Sequence, residues 1–159
     1  MRVLFVCLGN ICRSPTAEGV LRQQLQAAGL SERVEVDSCG IGAWHVGKAP
    51  DPRAHEAAMR RGVNLSSLRA RQLAADDFRR FDYLLAMDRA NLAALHEQRP
   101  AQCPAHVGLF LDFAGHVERE VPDPYYGGEQ GFEEVLDLID AASRGLIEEI
   151  RQRLEVRRP

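Results

Sequence analysis

Two cysteines and an arginine share one tight stretch near the start of the chain, VCLGNICRSP, Val6 to Pro15. Cys7 leads, Cys12 and Arg13 follow, and Ser14-Pro15 come next. Three chemistries use such a set: half of a metal site, a redox pair of thiols, or an anion cradle with a nucleophile inside it. The residues before and after decide among them. Val3, Leu4 and Phe5 form a short apolar run that reads as a strand over Arg2 to Val6. From Ser14 the period changes. Ala17, Val20, Leu21 and Leu25 recur at helical spacing until Gly29, with Ser14 suited to a helix cap and Pro15 to the first helical position. The cysteines therefore sit in a loop between a strand and the N-terminus of a helix.

Such a loop collects unpaired backbone N–H groups into a nest that fits a tetrahedral oxyanion. Surroundings of donors, an arginine and a helix dipole favour the thiolate, the nucleophilic form of a cysteine. Arg13 can grip two oxygens of a phosphoryl group in a planar fork. Gly9 and Asn10 tolerate left-handed backbone, which a closed turn often needs. Ser14 can offer its hydroxyl to the Cys7 sulfur, holding the thiolate and easing its later departure. C-x5-R alone is a spacing that many chains show by chance; a strand before it and a helix after it make it specific.

The other chemistries fit less well. Cys7 and Cys12 supply only two thiols to a metal. His96, Cys103 and His106 have no finger-like spacing, and His45, His55 and His116 are scattered. The glycines of a dinucleotide fingerprint are missing, and so is the GK[ST] of a Walker loop.

The elements that must position this loop follow in order. Val34 and Val36 alternate with charged neighbours as a second strand. The Gly- and Pro-rich SCGIGAWHVGKAPDPR reads as an ordered loop. Asp51-Pro52 caps a helix through Met59, ended by Gly62. Phe81–Met87 is a third strand, Ala90–His96 a short helix, and Val107–Phe113 a fourth strand. Phe132, Val135, Ile139, Ala142, Leu146 and Ile150 keep to one face of a last helix, with Gly145 a tolerable interruption and a frayed tail after Leu154. Strands alternating with helices predict an α/β fold with a parallel sheet, right-handed crossovers and both faces covered. Ligands bind beyond the carboxyl ends of such strands, where Cys7–Arg13 lies.

A chain of 159 residues is enough for one domain, taken as 1–159, and too short for two comfortable ones. A net charge of -3 gives no sign of a nucleic-acid or anionic-membrane partner. No apolar run approaches a membrane span, and MRVLFVCLGN breaks too early for a signal peptide. Four cysteines in a chain that needs no staples predict free thiols in a reducing, cytoplasmic setting.

Transfer of a phosphoryl group to a thiolate needs a proton for the leaving oxygen, and a base for the water that attacks next. Asp123, in the proline-ordered VPDPYYGG, is the candidate by pattern, with Tyr125 and Tyr126 as a wall against a flat substrate. Without Cys7, PDPYYGG reads as a turn with two surface tyrosines. Asp112, Glu118 and Glu120 are rival acids.

VLFVCLGNICRSP with a late DPYY resembles the low-molecular-weight protein tyrosine phosphatases, and the likeness extends through VDSCGIGAWHVGKAPDPRA, ARQL and FDYLLAMDRANL to the final helix. The resemblance implies a three-layer α/β fold: a four-stranded parallel twisted sheet with helices on both faces and a phosphate-binding loop after the first strand. It implies a cytoplasmic enzyme without cofactor or metal that hydrolyses phosphotyrosine monoesters through a phosphocysteine. Its partners would be phosphotyrosine-containing proteins and, as a functional counterpart, a cognate tyrosine kinase. On this likeness Cys7 matches the nucleophile, Arg13 the phosphate-binding arginine and Asp123 the general acid. Leu8, Gly9, Asn10, Ile11 and Cys12 fill the loop. Asn10 fixes the turn, Ser14 is the hydroxyl partner of Cys7, and Cys12 is the second thiol that can trap an oxidised nucleophile. Trp44 and Tyr125 line the substrate crevice, with Tyr126 adjacent.

Two residues depart from the family pattern. Cys39 stands where relatives often read alanine, and Leu68 where they often carry a histidine. His45 and Lys48 flank Trp44 and can adjust which phosphopeptides fit. Two other functions compete. An arsenate reductase on the same scaffold uses further cysteines after the third strand, and none lies between Cys39 and Cys103. A non-catalytic phosphotyrosine-binding module would have lost a cysteine, arginine or aspartate.

Overall fold

The computed structural model describes residues 1–115, 120–124 and 129–156. Tyr125, Tyr126, His116 and Glu118 lie outside the described residues. Four strands, β1 (Arg2–Cys7), β2 (Glu35–Gly40), β3 (Tyr83–Ala86) and β4 (His106–Leu109), pair in parallel in the order β2-β1-β3-β4. The helices are α1 (Arg13–Ala27), α2 (Pro52–Met59), α3 (Asp77–Arg80), α4 (Arg89–Gln98) and α5 (Glu129–Val156). The four-stranded parallel sheet of the sequence reading is present.

Alternation along β1 explains the layers. Val3, Phe5 and Cys7 point to one face and pack with α1, α2 and α5; Leu4 and Val6 point to the other and pack with Phe78, Phe81 and Leu95. Both faces are covered, so β1 is buried from Val3 to Cys7. The sheet grows from β1 in both directions, to β2 on one side and β3 on the other. The end of β1 is therefore a topological switch point, where flanking connections diverge and leave a crevice.

Five local readings change. The predicted fourth strand Val107–Phe113 stops at Leu109, and Phe110–Ala114 turns into a 3-10 helix ended by Gly115 in the left-handed region. An apolar run does not by itself distinguish strand from helix; here Phe110 and Leu111 are buried by turning onto α5. Gly145 is not an interruption but a requirement, because a Cβ there would overlap the Phe113 carbonyl oxygen. The helix α3 was not anticipated, and Tyr83–Ala86 is a shorter strand than Phe81–Met87. Ser14 does not cap α1. Cys12 holds that position without a side-chain bond, and Ser14 is fully buried inside the helix. Pro15 still fits, since the first four helical nitrogens need no intrahelical acceptor. Asp51 does cap α2, accepting from the Arg53 N–H at 2.8 Å.

Helix propensity predicts that Gly145→Ala would stabilise α5. The contact with Phe113 predicts the reverse, a loss of about 1–3 kcal/mol, the usual cost of overpacking. Urea unfolding decides the sign, and a more stable Gly145→Ala protein would contradict the close approach.

Candidate active site

The loop Leu8–Cys12 closes at the carboxyl end of β1. It is tied from outside by backbone bonds: Ile41 N–H donates to Cys7 O (2.9 Å), Gly42 N–H to Leu8 O (3.0 Å) and Asp51 N–H to Ile11 O (2.8 Å). Gly40 lets β2 come this close, since a Cβ there would stand 2.9 Å from Leu8 O and 3.0 Å from Gly9 C. Asn10 alone adopts the left-handed backbone expected of the loop, at φ 60°. Gly9 does not. Its lack of a side chain serves His45 instead, whose Cδ2 would lie 2.9 Å from a Cβ.

The Asn10 side chain works inward. Its Oδ1 accepts from Arg71 N–H (3.0 Å), which fixes the carboxamide orientation. Its Nδ2 then donates to Ser14 Oγ (2.8 Å) and to Ser38 Oγ (2.9 Å). The Asn10 backbone N–H points at Cys7 Sγ (3.3 Å), and Ser14 Oγ lies 2.9 Å from the same sulfur. Because Ser14 already accepts from Asn10, its own hydrogen is free to go to Cys7. Two donors thus converge on the sulfur.

Arg13 is 3% exposed, an expensive place for a cation unless it is paired. Nη1 donates to Asp88 Oδ2 (2.7 Å) and to Val121 O (3.0 Å). Asp88 is itself held by capping α4, accepting from Asn91 N–H at 2.7 Å. With both Nη1 hydrogens used, Nε and Nη2 form the fork left for a ligand. Asp123 stands across it, Oδ2 3.7 Å from Nη2 and about half exposed.

Together these residues line a cavity of about 230 Å³: Cys7, Leu8, Gly9, Ile11, Cys12, Arg13, Trp44, His45 and Asp123. Asn10 and Ser14 support it from behind. Trp44 is exposed and lies over Gly42, where a Cβ would overlap its ring. Of the described rival acids neither lines the cavity. Glu120 instead accepts from the Arg89 N–H at 2.7 Å, and Asp112 belongs to the 3-10 helix. Burial, with Asp51 adding to it, pushes the Cys12 thiol up to about 12, so Cys12 keeps its proton at neutral pH. Burial likewise raises Cys39. Cys39 is fully buried in the α3–α4 face of the core, and Leu68 packs on the opposite core. Among the described residues no group of three His, Cys, Asp or Glu stands together to hold a metal ion, and no helix is long and apolar enough to cross a membrane.

Sequence reasoning missed Gly40, Ser38, Glu18, Asp88 and Arg71. Gly40 carried a signal, a glycine at the end of a strand; the others act through contacts between segments far apart in the chain. Glu18 is buried, accepts from Ser38 Oγ (2.7 Å) and pairs with Arg22 (2.6 Å). Burial, outweighing these partners, raises it from the ordinary 4.5 to about 7. A folded value above the unfolded one means that the fold binds this proton more tightly. The resulting stability is complete below about 4.5 and is lost as pH rises through about 7. Urea unfolding of the wild type should therefore show a decline across this window that Glu18→Gln lacks. An identical pH slope in both proteins would contradict it.

The comparisons with known proteins agree with this geometry. The family model described as low molecular weight phosphotyrosine protein phosphatase matches residues 2–156. A Schizosaccharomyces pombe protein named low molecular weight phosphotyrosine protein phosphatase is 48% identical over 143 residues, 88% of this chain and 91% of the relative. The crystal structure of a protein tyrosine phosphatase from Entamoeba histolytica, with Hepes in its active site, superposes with a TM-score of 0.91 at 39% identity, covering 96% of this chain and 97% of that one. YfkJ from Bacillus subtilis superposes at 0.89 with 39% identity, covering 96% of both chains. With a family match over nearly its whole length and relatives this similar, the chain belongs to the low-molecular-weight protein tyrosine phosphatases.

Proposed function

We propose that the protein hydrolyses phosphotyrosine monoesters on proteins through a phosphocysteine at Cys7. The observation that carries this reading is the convergence of Ser14 and Asn10 on the Cys7 sulfur, opposite the open fork of Arg13 and beside Asp123. Phosphate oxygens are held by the loop amides and by Nε and Nη2 of Arg13. The thiolate attacks phosphorus, the bond from phosphorus to the phenolic oxygen breaks, and Asp123 gives that oxygen its proton. Water then attacks the phosphocysteine, Asp123 takes a proton from it, and the S–P bond breaks to release phosphate. Ser14 steadies the returning thiolate. Leu8, Ile11 and Trp44 offer apolar walls to the phenyl ring; Tyr125 and Tyr126 extend them on the family pattern.

Cytoplasmic placement, an opposing tyrosine kinase, and independence of cofactors, nucleic acid and membranes accompany this reading. So does a redox role, in which peroxide oxidises Cys7 and the Cys12 thiol displaces water to close a disulfide. An arsenate reductase is not favoured: Cys39 is buried in the core, Cys103 donates toward Phe78 O, and neither lines the cavity. A non-catalytic binding module would have no use for Asp123 beside the arginine fork.

Cys7→Ser should abolish nearly all turnover while inorganic phosphate still binds, and Cys12→Ser should retain much of the activity. Equal loss in both would sink the assignment. Asp123→Asn should slow phosphotyrosine hydrolysis by roughly 10²–10⁴-fold, the range of positioned acid catalysis. Its effect should shrink as the leaving phenol becomes more acidic. A leaving-group series with Glu120→Gln and Asp112→Asn as controls tests this, and a steepened dependence in a control instead of Asp123→Asn would reassign the acid.

A further inference from the structure

Among the buried acids that the reaction scheme leaves unused is Glu18. Glu18 is 2% exposed on α1, one turn beyond Ser14, with no access to the cavity. The hydrogens between it and Cys7 can be assigned one by one. Arg71 N–H occupies Asn10 Oδ1, so both Nδ2 hydrogens go outward, to Ser14 and to Ser38. Each serine oxygen is then an acceptor from Asn10, and each hydroxyl hydrogen must find a different acceptor. Ser38 sends its hydrogen to Glu18 Oε1 at 2.7 Å. Ser14 has Cys7 Sγ at 2.9 Å, with Cys39 O more distant at 3.4 Å. The chain is anchored by an acceptor at each end, and Asn10 donates toward both.

A proton on Glu18 Oε1 would meet the Ser38 hydrogen head-on, and one on Oε2 would weaken the pair with Arg22. In the first case Ser38 loses the acceptor that keeps its oxygen open to Asn10; in the second Oε1 remains only as a neutral, weaker acceptor. We propose that Glu18 is a positioning residue for the nucleophile: as a carboxylate it takes the Ser38 hydrogen, orients Asn10 through the Ser38 oxygen, and so maintains the donation from Ser14 to Cys7. The inference rests on the reading of Cys7 as nucleophile. Leu68 leaves this task to Glu18, because its apolar side chain packs on the core and only the Arg71 backbone reaches Asn10 from that segment.

The charges around Glu18 set when it acts. Arg22, from α1, and Arg71, from the segment before α3, favour the carboxylate; burial and Asp37, on β2, oppose it. The balance lies at about 7. Removing Arg22 shifts it toward the protonated form, so less carboxylate remains at neutral pH.

The test is a double-mutant cycle of Glu18→Gln with Ser14→Ala, read in two ways. One readout is kcat for para-nitrophenyl phosphate; the other is the rate of Cys7 alkylation by iodoacetamide, mapped by mass spectrometry. Glu18→Gln should lower both about tenfold at neutral pH, the scale of one hydrogen bond to a charged group. In the Ser14→Ala background it should lower neither further. Full, multiplicative losses would show that Glu18 acts apart from Ser14 and would overturn the proposal, as would no loss at all. Arg22→Gln keeps the Glu18 side chain but favours its protonated form, and should move the acid limb of kcat to higher pH. An unmoved limb overturns the proposal even if Glu18→Gln fails to fold. Turnover that survives Cys7→Ser would refute the nucleophile reading, whereas additive losses in an enzyme that depends on Cys7 would refute only the role of Glu18.

Discussion

One carboxamide holds the site together. Asn10 ties four segments: β1 through Cys7, α1 through Ser14, β2 through Ser38, and the segment before α3 through Arg71 N–H. It does so from a left-handed backbone at φ 60°, a region where asparagine is among the least strained non-glycine residues. Removing the side chain would leave the Arg71 N–H without its acceptor, at about 1–3 kcal/mol, and would take from the Ser14 and Ser38 oxygens the donor they accept from. The loop after β1 is therefore the visible end of an arrangement fixed from inside the fold.

The same interior accepts charges that a purely structural design would avoid. Arg13 and Glu18 are both almost fully buried, and each is tolerated because its partners are specific. Arg13 is aimed by Asp88, which is aimed in turn by the N-terminus of α4. Val121, whose carbonyl supplies the second Arg13 contact, hangs by its own N–H from Met87 at the end of β3. The arginine fork and the loop carrying Asp123 are thus registered by the same short backbone segment. Glu18 is costlier, since ionising it works against stability as pH rises through its range. Groups that weaken the fold while polarising a site are expected where function dominates.

The candidate site was legible in the sequence where near neighbours in the chain build it together. Cys7, Asn10, Arg13 and Ser14 fall within eight consecutive positions that run from the end of β1 into the start of α1, so spacing alone brings them to one place. The parallel sheet was legible from alternation and helical period. Periodicity could not show that the apolar run after β4 bends into a 3-10 helix, because its buried face is defined by α5, far along the chain. The use of Ser14 was hidden in the same way. A serine before proline suggests a cap, yet its hydroxyl serves Cys7 and Asn10, partners that depend on how the loop closes. Gly145 looked like a weakness because the Phe113 carbonyl that needs its space lies in a distant element. Glu18, Ser38, Asp88 and Arg71 carry no local motif and acquire meaning only when the segments meet.

The central claim is that the Cys7 sulfur takes the phosphoryl group. Rapid chemical quench during turnover of a phosphorus-labelled aryl phosphate, followed by proteolysis and peptide mapping, tests it most directly. The account predicts label on the peptide containing Cys7, in a thiophosphate linkage that iodine cleaves, appearing within one turnover and decaying as phosphate is released. Label on Cys12, Ser14 or any other residue, or turnover with direct transfer of phosphate to water and no labelled enzyme at any time, would contradict it.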